Sequence, residues 1–329
     1  MLVLSAYDRR ATARALRDGR PLPAGGGLYL LDLGKALHKA GKWKALRLKG
    51  ATIRRPHGIT AIGEEKADTP RLFVIARRYR NGTLEADIRQ MRLDLRAGRL
   101  IAVKELAHGP AWCAANDLAF DERANALLVT LDHAACHGPA RWWEDLTAAA
   151  SGRLVRIDLD EDAVAPLTTP EAAHIISHSL VWPNGIAIAR DRVWVAETRG
   201  RRLRTFDSHD LAPRAITALS GAPDNLSLLL PADDGDDRAA PGVLVAVHDS
   251  LWRLALLRDH LFGVRHAKSR IIRLDDDGQA FELLVDDGSR LSAATTALAI
   301  NERLIAASAW DDRLLVCRLI ARKDEERRT

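Results

Sequence analysis

Pro183-Asn184-Gly185-Ile186 decides the fold of this sequence, because three related stretches accompany it at wide spacing. The others are Pro56-His57-Gly58-Ile59, Asn116-Asp117-Leu118 and Pro223-Asp224-Asn225-Leu226. Each has the pattern of the front end of a β-strand that begins with a His, Asn or Asp side chain. We refer to these four stretches as the motifs.

The residue types in the motifs are those that a calcium ion takes as ligands. A hard cation of this kind binds six to eight oxygen atoms, from carboxylates, Asn amides and backbone carbonyls. Residues so far apart in the chain supply these atoms together only if their strands converge on one axis. The fold that does this is a β-propeller, and the sequence therefore predicts an all-β protein.

The rest of the chain repeats the same pattern. Apolar runs of strand length, such as Leu72-Phe73-Val74-Ile75, alternate with turn signals such as Asn81-Gly82. Strand starts at residues 57, 116, 184, 225 and 296 recur at intervals compatible with four-stranded blades. Five starts are visible where six blades need six. We therefore predict one six-bladed β-propeller domain over residues 1–329, with its first inner strand missing at the amino terminus.

Composition and charge exclude several classes of function. The chain has 329 residues, of which 28% are charged, and a net charge of +5. Acids and bases are interleaved, and the densest basic runs are Arg77-Arg78-Tyr79-Arg80 and Arg199–Arg204. Neither run has the interleaved aromatic residues or the recognition helix of a nucleic-acid site, so we interpret both as solvated strand edges.

The cysteines and the amino terminus bear on compartment. Cys113, Cys136 and Cys317 share no metal-type spacing, and they do not indicate a disulfide framework. No run approaches the length of a membrane span, and Asp8-Arg9-Arg10 follows Met1 too closely for a signal peptide. As written, the sequence favours the cytoplasm; a start site further upstream would instead favour export. Membrane association and oligomeric state are left open.

Residues 137–151 interrupt the strand pattern. They include Trp142-Trp143 and Ala148-Ala149-Ala150, which favour a short helix or lid inserted within one blade. For the Trp pair we expect simple packing on the propeller face.

The motifs, in this order, resemble those of the paraoxonase/arylesterase family of six-bladed propeller hydrolases, over essentially the whole chain. Leu131-Asp132-His133 before the aromatic insert and Ala246-Val247-His248 add to the resemblance. Gluconolactonases and strictosidine synthase-like proteins are more distant relatives that share the propeller. Each motif alone is weak, since Asn-Gly and Asp-Asn are common turn dipeptides.

The resemblance implies two calcium ions and a catalytic histidine. Its catalytic calcium would be held by four motif residues: Asn116, Asn184, Asp224 and Asn225. Its structural calcium would use Asp117 and the backbone carbonyl of Ile59. His57 resembles the family's general base, a role that suits an imidazole because it takes up a proton near neutral pH.

Two departures from the family pattern concern the same site. Where the family has a second histidine, this chain has Ile75-Ala76-Arg77-Arg78-Tyr79. His133 and His248 are candidates to contribute, although a packing or hydrogen-bonded role is favoured for each. The family's acidic pair on the first inner strand is absent, which leaves Asp224 as the only carboxylate of the catalytic site. Either the start site is placed too late, which we favour, or the chain is a degenerate member. A late start would also explain why Cys317, which resembles a family disulfide cysteine, lacks a partner near the start.

The sequence thus predicts a calcium-dependent hydrolase of lactones or carboxylic esters, with a small-molecule substrate and no nucleic-acid partner. One alternative is a strictosidine synthase-like or pseudoenzyme propeller that binds a small ligand without hydrolysis. Another is a propeller that serves as a protein-interaction platform, which needs none of the motifs.

Overall fold

A computed structural model describes residues 1–34, 45–63, 68–160, 165–229, 242–275, 277–300 and 302–319. Their strands form six sheets, and the fold is the predicted all-β six-bladed propeller. The chain divides into two compact units, Met1–Ala218 with blades 1 to 4 and Leu219–Thr329 with blades 5 and 6. We describe each unit by itself. In the described part of the chain, no helix is both long and apolar enough to span a membrane.

The first unit contains four blades. Blade 1 has β1 (Leu2–Tyr7), β2 (Gly26–Leu31) and β3 (Leu46–Arg47). Blade 2 has β4 (Lys49–Gly50), β5 (Pro56–Ile62), β6 (Arg71–Arg80), β7 (Thr83–Asp94) and β8 (Arg99–Gly109). Blade 3 has β9 (Ala115–Asp121), β10 (Ala126–Leu131), β11 (Gly152–Asp158) and β12 (His174–Leu180). Blade 4 has β13 (Pro183–Ala189), β14 (Arg192–Glu197), β15 (Arg202–Asp207) and β16 (Pro213–Ala218).

The second unit contains two blades. Blade 5 has β17 (Ala222–Leu229), β18 (Gly242–His248), β19 (Ser269–Leu274) and β20 (Ala280–Asp286). Blade 6 has β21 (Ala294–Ile300), β22 (Arg303–Ser308) and β23 (Leu314–Arg318). Neighbouring strands in these blades pair antiparallel, and short turns connect β19 to β20 and β22 to β23.

Three α-helices are described over their full length, and each connects two strands that pair with one another. They are α1 (Arg9–Arg17), α2 (Gly138–Thr147) and α3 (Leu251–Asp259). Asp8 caps α1, since its carboxylate accepts a hydrogen bond from the Ala11 amide at 2.7 Å. Ser250 caps α3 in the same way through Arg253 N, 3.2 Å away.

The first strand of blade 1, β1, corresponds in position to the second strand of the blades that follow. β1 ends at Tyr7, and Arg9, just beyond it, contacts His57 at the start of β5, so β1 runs opposite to β5. The inner strands β5 and β9 instead begin side by side, because Gly58 lies directly against the Asn116 backbone. β1 also precedes a helix, as β10 and β18 do. Among the described residues blade 1 therefore has no inner strand, as the sequence predicts.

The core lies between the sheets and is built from the apolar runs. Phe73, Ile75, Leu127 and Val129 are fully buried in one cluster shared by blades 2 and 3. The predicted turn at Asn81-Gly82 joins β6 to β7, and both residues have positive φ, 50° and 78°. That geometry matches the twist of the flanking strands, which explains the Asn-Gly pair.

The insert after β10 is helical, as predicted, but the expected packing of its tryptophans is wrong. Trp142 and Trp143 on α2 are 65% and 61% exposed. No residue of this helix is buried. The pair therefore adds little to the stability of the blade that carries it.

The chain also contains a disulfide, which the cysteine spacing did not indicate. Cys113 is bonded to Cys136, with Cα atoms 6.0 Å apart. Cys113 precedes β9 and Cys136 follows β10, and these two strands pair antiparallel. The hairpin itself brings the two thiols together, which sequence spacing alone does not reveal. Cys317 is a free, half-buried thiol.

Candidate functional site

Each motif lies on a β-bulge near the start of an inner strand. The register shifts between Pro56 and Ile59 in β5, between Pro183 and Ile186 in β13, and between Pro223 and Leu226 in β17. β9 shows the same irregularity opposite Val129 and Leu131. A bulge leaves residues outside the ladder and re-aims their side chains, and bulges concentrate beside active sites. The motif residues are thus among those that the sheets release from regular pairing.

In the first unit the three motifs lie side by side. A Cβ on Gly58 would come within 2.7 Å of the Asn116 carbonyl oxygen, so only glycine permits this approach of β5 to β9. The Asp117 carboxylate accepts a hydrogen bond from Ile186 N at 3.3 Å. The Thr130 hydroxyl donates to the Asn184 carbonyl at 2.6 Å. These bonds fix the starts of β5, β9 and β13 against one another.

His57 lies at the start of β5 between two guanidinium groups. Arg9 Nη2 is 2.8 Å from His57 Nδ1, and because a guanidinium only donates, Nδ1 is the acceptor. Burial, together with the charges of Arg77 and Arg9, holds the pKa of His57 well below its usual value, and a hydrogen bond with Asn116 opposes this only in part. His57 is therefore a neutral imidazole that carries its proton on Nε2, and taking up a proton at Nδ1 requires release of Arg9.

A hydrogen-bonded chain leads away from Asn116. Asn116 Nδ2 donates to Asp132 Oδ2 at 3.1 Å, and His133 Nδ1 lies 2.7 Å from Asp132 Oδ1. His133 Nε2 then lies 3.0 Å from Asp145 Oδ1 on α2. Burial by itself raises the pKa of Asp132, but its bond to His133 and the charges of His133, Arg77 and Arg141 lower it overall. His133 thus serves as a hydrogen-bonded link, as the sequence favours.

Trp182 immediately precedes the motif of β13 and adopts a left-handed conformation, with φ of 55°. Its ring packs edge-on against His133, with centroids 4.8 Å apart. The guanidinium carbons of Arg141 and Arg199 lie 5.8 and 5.5 Å from its centroid. This backbone conformation places the indole beside His133, Arg141 and Arg199 at the start of β13.

Ile59 is half-buried in β5, and its side chain packs against a core cluster with Leu72 and Val74. The structure places it just past the bulge, paired with Val74. Asp117 is buried and bound to the backbone of β13, which suits a residue that joins neighbouring inner strands. The structural-calcium role of these two residues stays a prediction.

The second unit carries the fourth motif. Asp224 Oδ2 lies 2.8 Å from His248 Nε2, and His248 is almost fully buried at the end of β18. Asn225 Nδ2 donates to the Thr295 carbonyl at 2.8 Å, across to β21. Since a carboxylate only accepts, Nε2 of His248 carries the hydrogen.

The donor chemistry of the predicted catalytic set suits calcium. The amide nitrogens of Asn116 and Asn225 both donate to protein acceptors, so the amide oxygens are the atoms that could bind calcium, and the oxygen of Asn116 would share its lone pairs with the hydrogen bond from His57. In the described part of the chain no three His, Cys, Asp or Glu side chains group as a metal site, so a site here depends on amide and carbonyl oxygens. The catalytic set has a single carboxylate, Asp224, which limits its affinity for calcium.

Comparisons with known proteins bear on the fold. No known protein family and no curated protein matches the chain. One solved structure described as glucose dehydrogenase is 15% identical, covers 87% of this chain and 88% of that chain, and has a TM-score of 0.52. Another described as glucose dehydrogenase is 13% identical, covers 92% of both chains, and has a TM-score of 0.55. At these identities the likeness shows the propeller fold alone, and the paraoxonase-type resemblance stays a prediction.

Sequence reasoning missed most of the positive charge at the motifs. Arg9 lies on a helix, and nothing in its surroundings in the sequence connects it to His57. Arg77 could have been singled out, because β6 alternates its side chains and Arg77 lies on the opposite face from Arg78. Trp182 could also have been found, since it directly precedes Pro183-Asn184.

Proposed function

We propose that this protein hydrolyses a lactone or carboxylic ester at the motif end of its inner strands. The observation that carries the proposal is that all four motifs lie on bulges at strand starts, each with a polar side chain freed from the ladder. Bulges concentrate beside active sites, and since β21 also begins with a bulge but has no motif, it is the polar side chains placed on the four bulges that support the proposal. The resemblance to the paraoxonase/arylesterase family supplies the reaction class.

Calcium would be held by Asn116, Asn184, Asp224 and Asn225, and when bound it supplies a Lewis acid that polarises the substrate carbonyl. The protein's own groups prepare the site. Asp132 and the Thr295 carbonyl orient the two Asn amides. Arg9 holds the His57 ring in one orientation and one tautomer. Trp182, packed against His133, offers an apolar wall for the substrate.

His57 is the group that moves a proton. Its neutral form is secured by burial and by Arg77 and Arg9. When substrate or water displaces Arg9 from Nδ1, that nitrogen accepts a proton from the water that attacks the carbonyl carbon, and it returns the proton to the alkoxide oxygen that leaves as the ester C–O bond breaks. The hydrogen bond between His57 and Asn116 holds the ring in place during this transfer. A neutral imidazole is the form that a general base requires.

The test is hydrolysis of phenyl acetate and of a simple γ-lactone by the purified chain, with calcium and with a chelator. Asn116→Ala and Asp224→Ala should each abolish calcium-dependent hydrolysis and leave a folded protein. Asp158→Ala, which removes a carboxylate exposed on β11, is the matched control and should retain activity. Full activity in both motif variants would refute the proposal.

A further inference from the structure

The basic run Arg77-Arg78-Tyr79-Arg80 divides between two faces of β6. Arg78 Nη2 forms an ion pair with Asp87 Oδ1 at 2.6 Å, and Arg80 approaches Glu85 at 3.8 Å. These two arginines form the solvated edge that the sequence predicts. Strand alternation turns Arg77 and Tyr79 to the other face, toward His57.

Tyr79 lies near three arginine side chains, Arg55, Arg77 and Arg9. The Arg55 guanidinium carbon lies 5.9 Å from the Tyr79 ring centroid, and that of Arg9 lies 5.5 Å from the Tyr7 ring centroid. Burial and the neighbouring Tyr7 raise the pKa of the Tyr79 phenol, while the charges of Arg77, Arg55 and Arg9 act against that rise. All three cations therefore lie within electrostatic reach of one hydroxyl group. We call Arg9, Arg55 and Arg77, with Tyr7 and Tyr79, the arginine site.

The arginines of this site are bonded only to neutral acceptors. Arg55 Nη2 donates to the Pro23 carbonyl at 3.1 Å, and Arg77 Nη2 donates to the Ala115 carbonyl at 3.3 Å. The partner of Arg9 is His57 Nδ1. Within the described ranges, none of the three forms an ion pair with a carboxylate, and the buried Nε atoms of Arg55 and Arg77 lack an acceptor.

The nearest acids are engaged elsewhere. Asp8 caps α1 through the Ala11 amide. Asp132 acts on Arg77 only at long range and is bonded to Asn116 and His133. Buried cations in proteins are normally paired, because removing them from water is costly. Three partly or fully buried guanidiniums without a carboxylate partner therefore constitute a prepared site for an anion.

We infer that the arginine site binds an anionic group of the substrate, a carboxylate or a phosphate, next to His57. Guanidiniums bind both groups through paired N–H donors, and the phenol of Tyr79 adds a further donor. The inference rests on the proposed function and narrows it: the substrate is a lactone or ester that carries a negative charge. Carboxylates and phosphates both present negatively charged oxygen atoms, and two small anions, one of each kind, distinguish which group the site recognises.

The first test is equilibrium binding, which does not depend on hydrolysis. Calorimetric titrations of the full chain with methylphosphonate and with propionate should show saturable binding of one or both, and the tighter anion identifies the group recognised. Arg77→Gln should weaken binding roughly 10- to 100-fold, the loss typical of a hydrogen bond to a charged group. Arg96→Gln, at a position 82% exposed and paired with Asp68, is the matched control and should bind as the parent chain does.

Arg77→Lys guards against loss of folding. It keeps the charge but not the planar fork, so it should unfold at the temperature of the parent chain and still bind more weakly. Absence of binding by either anion to the folded parent chain would overturn the inference. Equal binding by the parent chain and Arg77→Gln would overturn it as well.

A kinetic test separates the two proposals. A γ-lactone bearing a carboxylate should have a higher kcat/KM than its methyl ester, and Arg77→Gln should remove that preference through KM. Anion binding without turnover of any lactone would refute the proposed function and support the arginine site. Turnover of neutral lactones, without anion binding and without a preference for the carboxylate-bearing lactone, would support the proposed function and refute the arginine site.

Discussion

The two units carry a histidine beside a bulged motif in opposite electrostatic surroundings. In the first unit His57 accepts a hydrogen bond from Arg9 and feels the charge of Arg77. In the second unit His248 donates to the carboxylate of Asp224. The backbone device is the same, a bulge at the start of an inner strand. The comparison shows that the backbone places an imidazole beside a bulge in both units. A single neighbouring side chain then determines whether that imidazole accepts or donates a hydrogen bond.

The largest expected effect tests whether only one of these histidines moves protons. His57→Gln should lower kcat for lactone hydrolysis by about 10²- to 10⁴-fold, the range for loss of a general base. His248→Gln keeps a donor for Asp224 and should lower it by less than about tenfold, well below that range. Steady-state kinetics of both variants measure the contrast. Equal losses would mean that the two histidines are equivalent, and the comparison would fail.

The next prediction concerns the covalent bond that stabilises the first unit internally. The bond between Cys113 and Cys136 closes a loop over a sequence separation of 23, for which the chain-entropy estimate is roughly 3 kcal/mol. Replacing both cysteines by serine should lower the free energy of unfolding by about that amount, in denaturant titrations of the first transition that involves unit 1. Cys317→Ser is the control, since this thiol is unpaired and half-buried. A double variant as stable as the control would contradict the prediction.

In the second unit the corresponding stabilising feature is a buried carboxylate that is paired with an arginine. Asp286, almost fully buried, accepts hydrogen bonds from Arg290 Nε at 2.6 Å and from Gly288 N at 2.9 Å. Burial alone raises the pKa of its carboxyl, but the bonds from Arg290 and from backbone amides lower it overall. A lowered folded-state pKa stabilises the protein above the unfolded-state value of about 4, and the stabilisation is lost as the pH falls through the folded-state pKa.

Asp286→Asn should therefore cost about 2 kcal/mol at pH 7, and less as the pH approaches 3. Urea titrations at both pH values measure the difference. Asp158→Asn, on an exposed pair with Arg156, is the control. A cost that stays constant over this pH range would show that the charge of Asp286 does not contribute.

The smallest expected effect concerns α2. Trp142 is 65% exposed, so Trp142→Ser should change the free energy of unfolding by less than about 0.5 kcal/mol. Trp112 is fully buried and serves as the contrast, since Trp112→Ser should cost about 3 kcal/mol or more. Thermal unfolding of the two variants decides the point. A large loss in Trp142→Ser would restore the packing role first expected for this residue.

The motifs could be predicted because their chemistry is local. A Pro, a polar residue and a Gly in four successive residues mark a strand start that departs from the ladder, as at Pro183–Ile186. The three-stranded form of blade 1 among the described residues was also predictable, because counting strand starts needs only the sequence. Both features follow from the order of residue types along one strand.

The arginine site could not be predicted in the same way. Arg9 reaches His57 because β1 runs opposite to β5 and a capped helix follows it, and neither direction nor packing is written in local residue order. The disulfide was not predicted for a related reason. Cys113 and Cys136 come together only because β9 pairs with β10, and strand pairing is not evident from the spacing of the cysteines. The sequence alone does predict that Arg77 and Arg78 lie on opposite faces of β6, because side chains alternate along a strand. We instead interpreted the whole basic run as one solvated edge.

The bulge in β13 has a consequence for the evolution of this chain. Removing one residue between Pro183 and Ile186 would restore a regular ladder, because the register shift there would disappear. The deletion would rotate Asn184 to the opposite face of the strand while leaving the rest of the blade paired. A single in-frame codon deletion at this bulge would therefore remove Asn184 from the proposed site while the other residues of the blade could still pair.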